Sequence, residues 1–368
     1  SANTSITAVG DDDQSIYGWR GAKVENVDSF TKTFEDTEII RLEQNYRSTN
    51  IILGAANALI ENNTERLGKN LWTEQLEGEP IVLYQAYNEQ DEARFVADIL
   101  KDWMSSGELY SDAAVLYRSN AQSRAVEEAL LRASIPYRIY GGLRFYERME
   151  IKNAIAYLKI IFNHSDNPAF ERSISNPTRG VGEKTLAKIR GTAKQFNISY
   201  IKASAKLIDE GTISGRGGSG LRSYLEFISR CKEFIEENLL SDLMEEIIKT
   251  SGLMAYHAKE PGEKGKTRVE NLEELVTATK NFEQSITEDK TNIEIAEQYL
   301  DIISLDSGDR QASESDDAAQ LMTLHSAKGL EFKLVLMTGL EESLFPHGRS
   351  MESTSQLEEE RRLCYVGI

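Results

Sequence analysis

The sequence predicts an α/β fold whose sheet is interrupted by a large all-helical insertion, and three observations carry that prediction. Short β-rich runs alternate with longer helical patterns over the first 140 residues, strand signals vanish from about Gly141, and they return after about residue 312. Alternation of this kind describes a sheet covered by helices, and an uninterrupted run of helices within it describes an inserted domain. At roughly 100–200 residues per domain, a chain of 368 residues has room for two or three domains.

Taken in order, residues 6–9 and 39–42 are strand candidates, and Ile52, Ala55, Ala56 and Leu59 then recur at helical steps behind a possible N-cap at Ser48. A further strand candidate at 81–86 precedes Phe95, Val96, Ile99, Leu100 and Trp103, whose spacing places one apolar stripe on a helix packed against a sheet. Residues 113–117 and 138–140 are the next two strand candidates. Within the insertion, 151–162, 221–235 and 239–248 have helical patterns, and the glycine-rich 215–220 reads as a flexible turn. The returning strands, 320–324 and 333–338, are expected to complete the earlier sheet.

Lys and Arg number 42 against 60 Asp and Glu, a formal charge of −18, so any contact with a polyanion or an anionic membrane must be local. Residues 137–190 hold ten basic and five acidic side chains, whereas 281–320 hold two basic and eleven acidic, including the acidic tract at 314–317. The basic stretch is either a solvated helix surface or an anion-binding face. Cys231 and Cys364 stand far apart in no paired-ligand spacing, which fits a reducing compartment, with the cytoplasm as the expected setting. His164, His257, His325 and His347 form no metal-ligand pattern, so no metal site is predicted. No apolar run approaches the ~18 residues of a spanning helix, and the first residues have no signal-peptide pattern. A soluble protein without membrane contact is expected. With no initiator Met and a last residue, Ile368, inside an amphipathic pattern, the chain reads as a fragment.

Four stretches have chemical content. The first, Gly10-Asp11-Asp12-Asp13-Gln14-Ser15-Ile16-Tyr17-Gly18-Trp19-Arg20-Gly21, follows a strand candidate, where an α/β sheet places its binding loops. Its three carboxylates suggest Mg²⁺ and nucleotide, and Tyr17, Trp19 and Arg20 offer flat faces to unstacked bases; composition alone equally describes an acidic turn before a packed Trp. The others are Leu42-Glu43-Gln44-Asn45-Tyr46-Arg47-Ser48, Thr323-Leu324-His325-Ser326-Ala327-Lys328-Gly329-Leu330-Glu331-Phe332, and Glu358-Glu359-Glu360-Arg361-Arg362-Leu363-Cys364-Tyr365-Val366-Gly367. In order and spacing these resemble motifs III, IV, V and the front of motif VI of the UvrD/Rep/PcrA group of superfamily-one DNA helicases.

That resemblance implies a RecA-like parallel sheet of the P-loop NTPase type. It makes residues 1–38 the remnant of a first RecA-like domain, 39–140 and 313–368 the second, and 141–312 an inserted helical domain. It also implies an ATP-dependent 3′–5′ DNA helicase and single-strand translocase of excision repair, mismatch repair and replication. The partners would be single-stranded DNA, single-strand/duplex junctions and DNA repair proteins. ATP and Mg²⁺ would be required, with their ligands mainly in an N-terminal part outside this chain: no Gly-x-x-x-x-Gly-Lys-Thr and no Asp-Glu pair on a buried strand precede Gly10. The Thr-Arg-Ala that completes motif VI is also absent, so the chain alone is expected to have little or no ATPase activity.

By the same resemblance, Gln14 senses the γ-phosphate and Arg47 acts as an arginine finger, stabilising charge on the transferring phosphoryl group. Tyr46 stacks on adenine and Glu331 binds the ribose. Tyr17, Trp19 and Arg20 line the single strand, with His325 and the Arg118-Ser119-Asn120 segment nearby, and His347 is a DNA-contact candidate or a simple loop histidine. In the insertion, Asn176-Pro177-Thr178-Arg179-Gly180-Val181-Gly182-Glu183-Lys184-Thr185 resembles a helix-hairpin-helix turn. There the amides around Gly180 and Gly182 could hold a duplex phosphate, with charge from Arg179 and Lys184. Gly265-Lys266-Thr267 imitates a phosphate-binding loop, but the earlier glycine is replaced by Glu260 and no strand precedes it. Two other readings stay open: a non-catalytic DNA- or protein-binding module derived from a helicase, and a related recombination-nuclease helicase.

Overall fold

The computed structural model describes residues 6–18, 21–22, 26–34, 37–64, 66–75, 77–287, 289–306 and 316–368. The chain divides into two compact units, Ser1–Gly142 with Gln311–Ile368, and Leu143–Arg310. The first carries a four-stranded parallel sheet of β1 (Ala113–Tyr117), β2 (Tyr137–Ile139), β3 (Ala319–Thr323) and β4 (Leu334–Met337), in the order β2-β3-β1-β4. β3 comes after the insertion yet lies between two strands that precede it, with Ala114 opposite Gln320 and Tyr137 opposite Ala319. One sheet is thus built from two separated stretches.

Side chains alternate across a strand, so β1 serves two cores. Ala113, Val115 and Tyr117 pack with Val96 and Leu100 of the helix Glu89–Ser105 and with Val126 and Leu130 of the helix Ser123–Arg132. Ala114 and Leu116 join Ile16, Met322 and Leu363 in the other core. A strand buried on both faces has a continuous apolar sequence, as the five residues of β1 do. The helix Glu89–Ser105 begins where the Asn88 side chain accepts the Asp91 N–H, satisfying a donor that has no partner inside the helix.

Three strand candidates, 6–9, 39–42 and 81–86, are not strands in the structure. Leu42 is 81% and Leu83 87% exposed. β-Branched composition favours extended backbone, but a ladder needs a partner for its N–H and C=O groups, and among the described residues none forms a ladder with these runs. The helix predicted near 52–59 spans Asn50–Ile60; its N-cap is Thr49 rather than Ser48, and it buries Leu53, Ala56 and Ile60.

The second unit is helical among its described residues. Met149–Phe162, Asn167–Ser175, Glu183–Phe196, Gly215–Glu237, Leu240–Thr250 and Glu263–Ser285 surround a core that includes Ile151, Leu158, Phe170, Tyr224, Leu243 and Leu272. Residues 215–220 are not a flexible turn: they open the helix Gly215–Glu237. A Cβ on Gly220 would collide with the Arg179 carbonyl oxygen, so glycine here serves a close approach of backbones rather than mobility. The same holds for Gly265, where a Cβ would collide with the Glu260 carbonyl oxygen inside a helix–helix corner. No described helix is long and apolar enough to cross a membrane.

Candidate nucleotide and nucleic-acid interface

Asp12–Gln14 form a single 3-10 turn, opened by Asp11, whose side chain accepts the Asp13 N–H. Gln14 Nε2 donates to Asp11 Oδ2 at 2.8 Å, and the Gln14 carbonyl accepts from Lys328 Nζ at 2.8 Å. Arg362 Nε donates to the Ser15 carbonyl at 3.0 Å, and the Gly18 N–H to Glu359 Oε1 at 2.9 Å. Ile16, fully buried, plugs the core beside Leu116 and Leu363. The turn is therefore gripped from both later motifs, by an apolar anchor and by backbone hydrogen bonds. A Cβ on Gly18 would fall 2.5 Å from Glu359 Oε2, the far end of a flexible side chain that can move aside.

The three carboxylates do not fit a divalent ion. Asp13 takes a bidentate contact from Arg66 at 2.7 Å to each oxygen, Asp12 accepts the Leu67 N–H at 2.8 Å, and Asp11 is paired with Lys69. Arg66 and Lys69 escaped the sequence reading because their partners lie more than fifty residues away.

Of the residues assigned to the nucleotide, Arg47 and Glu331 meet, Tyr46 precedes Arg47 in the chain, and the Gln14 side chain is held by Asp11. Arg47 Nε donates to Glu331 Oε2 at 2.8 Å, with the two side chains 58% and 70% exposed. Tyr46 is exposed, and its hydroxyl donates to Gln44 Oε1 at 2.8 Å. The Asn45 side chain accepts the N–H groups of Arg47 and Ser48, both at 2.8 Å, fixing the bend that presents Tyr46 and Arg47. Tyr46, Arg47 and Glu331 thus present an exposed ring, guanidinium and carboxylate.

Two of the DNA candidates, Arg118 and His325, stand at one end of the sheet. Arg118 follows β1 and His325 follows β3, and these strands are neighbours with Tyr117 opposite Thr323. Asn120 opens the short turn Asn120–Gln122, with Ser119 and Gln122 forming a capping box. The Tyr17 hydroxyl donates to the His325 carbonyl at 3.2 Å, and Lys328 Nζ lies 5.3 Å from the Tyr17 ring centre. Trp19 and Arg20 lie outside the described residues. Arg118 contacts both oxygens of Glu360, with Nε and Nη2 at 2.7–3.1 Å. Burial raises the Glu360 pKa, but Arg118 and the His347 N–H more than offset it and hold the carboxyl below the usual range. Through that carboxylate, Arg118 and the backbone of His347 meet.

In the helical unit, Gly180 adopts φ +76°, a region that favours glycine, and Gly182 is the N-cap of the helix Glu183–Phe196. Lys184 is exposed in its first turn. Arg179 is turned onto the protein: Nη1 donates to the carbonyls of Ser173 and Pro177 at 3.2 and 2.9 Å, and Nη2 to that of Ser251 at 2.8 Å. Its guanidinium also lies over the rings of Tyr157 and Tyr224, 5.4 and 5.6 Å from their centres. Thr178, Arg179, Arg216, Ser219, Gly220 and Ser223 line a shallow depression of about 410 Å³ beside the turn.

Comparison with known proteins agrees with this arrangement. The pattern of the UvrD-like helicase C-terminal domain matches residues 40–368, and that of the UvrD/REP helicase N-terminal domain matches residues 1–35. DNA helicase II of Escherichia coli is 52% identical over 363 residues, covering 99% of this chain and 50% of the relative. DNA helicase II of Haemophilus influenzae is 51% identical over 364 residues, with the same coverages. ATP-dependent DNA helicase PcrA of Bacillus subtilis is 43% identical over 367 residues, covering 99% of this chain and 49% of the relative. The chain thus spans about half the length of the curated relatives it matches. With four motifs in order and a matching pattern over most of its length, the chain belongs to the UvrD-like helicase family.

Proposed function

We propose that this chain supplies the second motor lobe of an ATP-driven translocase that moves 3′ to 5′ on single-stranded DNA and opens single-strand/duplex junctions, in the cytoplasm, in excision repair, mismatch repair and replication with other repair proteins. The observation that carries the reading is the Arg47 guanidinium, more than half exposed and held by a carboxylate that is itself exposed. A solvent-screened pair of this kind contributes about 0–1 kcal/mol, so Arg47 can exchange Glu331 for a phosphate at little cost. The names of the relatives, DNA helicase II for two and ATP-dependent DNA helicase for one, support the same reading.

ATP is the substrate, seated on a first motor lobe. Tyr46 offers its face to adenine, Glu331 accepts from the ribose hydroxyls, Gln14 reads the γ-phosphate, and Arg47 stabilises charge on the equatorial oxygens of the phosphoryl group in transfer. Mg²⁺ takes its ligands from that first lobe, because Asp11, Asp12 and Asp13 already have donors. Tyr17, Trp19, Arg20, Arg118, Asn120 and His325 form the single-strand track. Stacking contributes roughly 1–3 kcal/mol per base whichever base is present, which allows stepping without sequence preference. In the helical unit the amides at Gly180 and Gly182, with Lys184, hold a duplex phosphate; Arg179 shapes that turn from inside.

The test is to combine this chain with a polypeptide carrying the first motor lobe and to measure DNA-stimulated ATP turnover and DNA affinity together. Turnover is expected from the combination and not from the chain alone. Arg47→Ala should lower turnover by roughly 10³-fold and leave DNA affinity nearly unchanged; equal losses in both would remove Arg47 from the phosphate. DNA-stimulated turnover by the 368-residue chain alone would contradict the division of labour between lobes.

A further inference from the structure

The proposed reading gives no task to the acidic triplet that precedes Gln14, nor to the basic loop that meets it. Asp13 is 1% exposed, and its ion pair with Arg66 has side-chain exposures of 13% and 2%. The bidentate hydrogen bond that Arg66 donates to Asp13 holds the Arg66 pKa above its ordinary value. Arg66 Nη2 also donates to the Lys69 carbonyl at 3.1 Å, which closes the loop Arg66-Leu67-Gly68-Lys69 on itself, with Gly68 at φ +70°. The loop then delivers three donors in a row: the Arg66 fork to Asp13, the Leu67 N–H to Asp12 and the Lys69 ammonium to Asp11. Two cations and a backbone dipole face three carboxylates, and Tyr365, buried against this negative surplus, has its hydroxyl pKa raised by burial and by Asp11 and Asp13.

Asp11 is the branch point. One oxygen accepts from Lys69 and from the Asp13 N–H at 3.1 Å; the other accepts from Gln14 Nε2 at 2.8 Å. A carboxylate accepts and cannot donate, so this contact also decides which end of the Gln14 amide is which: the NH₂ end is tied to Asp11. Without Lys69, the Asp11 carboxylate would face Asp12 and Asp13 with one cation fewer and would lose the contact that holds its orientation. The Gln14 amide would then lose its reference.

We propose that Lys69 and Arg66 are positioning residues for Gln14: through Asp11 and Asp13, the loop after the helix Asn50–Ile60 sets the orientation of the Gln14 side-chain amide. The role in turnover rests on the reading of Gln14 proposed above, whereas the placement of the amide does not. The experiment therefore reads both. Nuclear magnetic resonance of the isotope-labelled 368-residue chain follows the side-chain NH₂ pair of Gln14, assigned by its loss in Gln14→Ala. In the parent chain this pair should be protected from exchange; Lys69→Met should speed its exchange roughly tenfold, the equivalent of losing about 1.4 kcal/mol of protection. Lys69→Arg should restore protection, because it keeps the cation. Unchanged exchange in Lys69→Met overturns the proposal. Arg66→Ala is a harder variant because it strands the buried Asp13 carboxylate; Lys69, whose removal strands no fully buried charge, keeps the test usable if Arg66→Ala does not fold.

The second measurement is ATP turnover with the first motor lobe present. Lys69→Met should lower kcat by roughly 10- to 100-fold with KM unchanged, and should have little further effect in a Gln14→Ala background, since residues acting through one group are not additive. Independent multiplication of the two losses overturns the positioning route. If exchange responds as expected while Gln14→Ala turns over like the parent, the placement of the amide stands and the assignment of Gln14 to the phosphate falls.

Discussion

Two arginines that the sequence marks alike, Arg47 and Arg179, have opposite surroundings. Arg47 is exposed with one exposed acidic partner, on a bend shaped by Asn45. Arg179 is half-buried, donates to three backbone carbonyls and covers two tyrosine rings. A guanidinium has five donors in a fixed fork; when these are met by carbonyls of its own fold, the charge organises the protein, and when one screened partner holds it, the charge can be lent to a ligand. Motif position alone does not separate the two cases. The number and burial of the partners does.

Substitutions can break or sharpen that contrast. Arg179→Ala should have the largest effect on stability, about 3 kcal/mol, because the carbonyls of Pro177 and Ser251 lose their side-chain donor, the Ser173 carbonyl keeps only Tyr157 and the Asn176 N–H, and two tyrosine rings lose their cation; urea unfolding of the chain measures it, and a loss below ~1 kcal/mol would mean that Arg179 is not a scaffold residue. Arg118→Met should come next, at about 2 kcal/mol near neutral pH, since it leaves Glu360 buried with weaker partners. The sign with pH follows from the depressed Glu360 pKa: its contribution is complete above the ordinary carboxylate value and is lost as pH falls through the folded value. The difference between parent and Arg118→Met should therefore shrink in acid. A constant difference between pH about 7 and about 3 would exclude the ion pair as its source.

Gly220→Ala should destabilise by about 1–2 kcal/mol, as the new methyl pushes against the Arg179 carbonyl, and it tests the same corner without touching a charge. Arg47→Ala should have the smallest effect on stability, within about 0.5 kcal/mol of the parent, although its effect on turnover with the first lobe is the largest expected. Similar Tm losses in Arg47→Ala and Arg179→Ala would erase the contrast.

Local patterns carried most of the helices and the strands with buried faces. The stripe through Val96 and Leu100 packs as its spacing predicts, and 113–117 forms the central two-faced strand β1. The runs at 39–42 and 81–86 have strand composition but no ladder, because pairing is a property of two segments and composition describes one. Residues 215–220 were misread for a related reason: glycine signals either freedom or contact, and only the neighbouring Arg179 carbonyl distinguishes them. At the candidate site, the pairing of Arg47 with Glu331 follows from residues singled out by motif order. The Arg66 and Lys69 clamp was not legible, since no short-range spacing links it to Asp11 and Asp13.

The strand order β2-β3-β1-β4 also explains where so large an insertion can enter. Two parallel neighbours run the same way, so the chain must return from the end of one to the start of the next, a journey of a dozen or more residues whatever it is made of. β2 and β3 are such neighbours, and Leu143–Arg310 lies within their return path. Closing a longer path costs little, about 0.6 kcal/mol for each doubling of a flexible segment. Evolution could therefore enlarge that detour into an entire appendage while the hydrogen-bond register at Ala319 and Tyr137 stayed as it was.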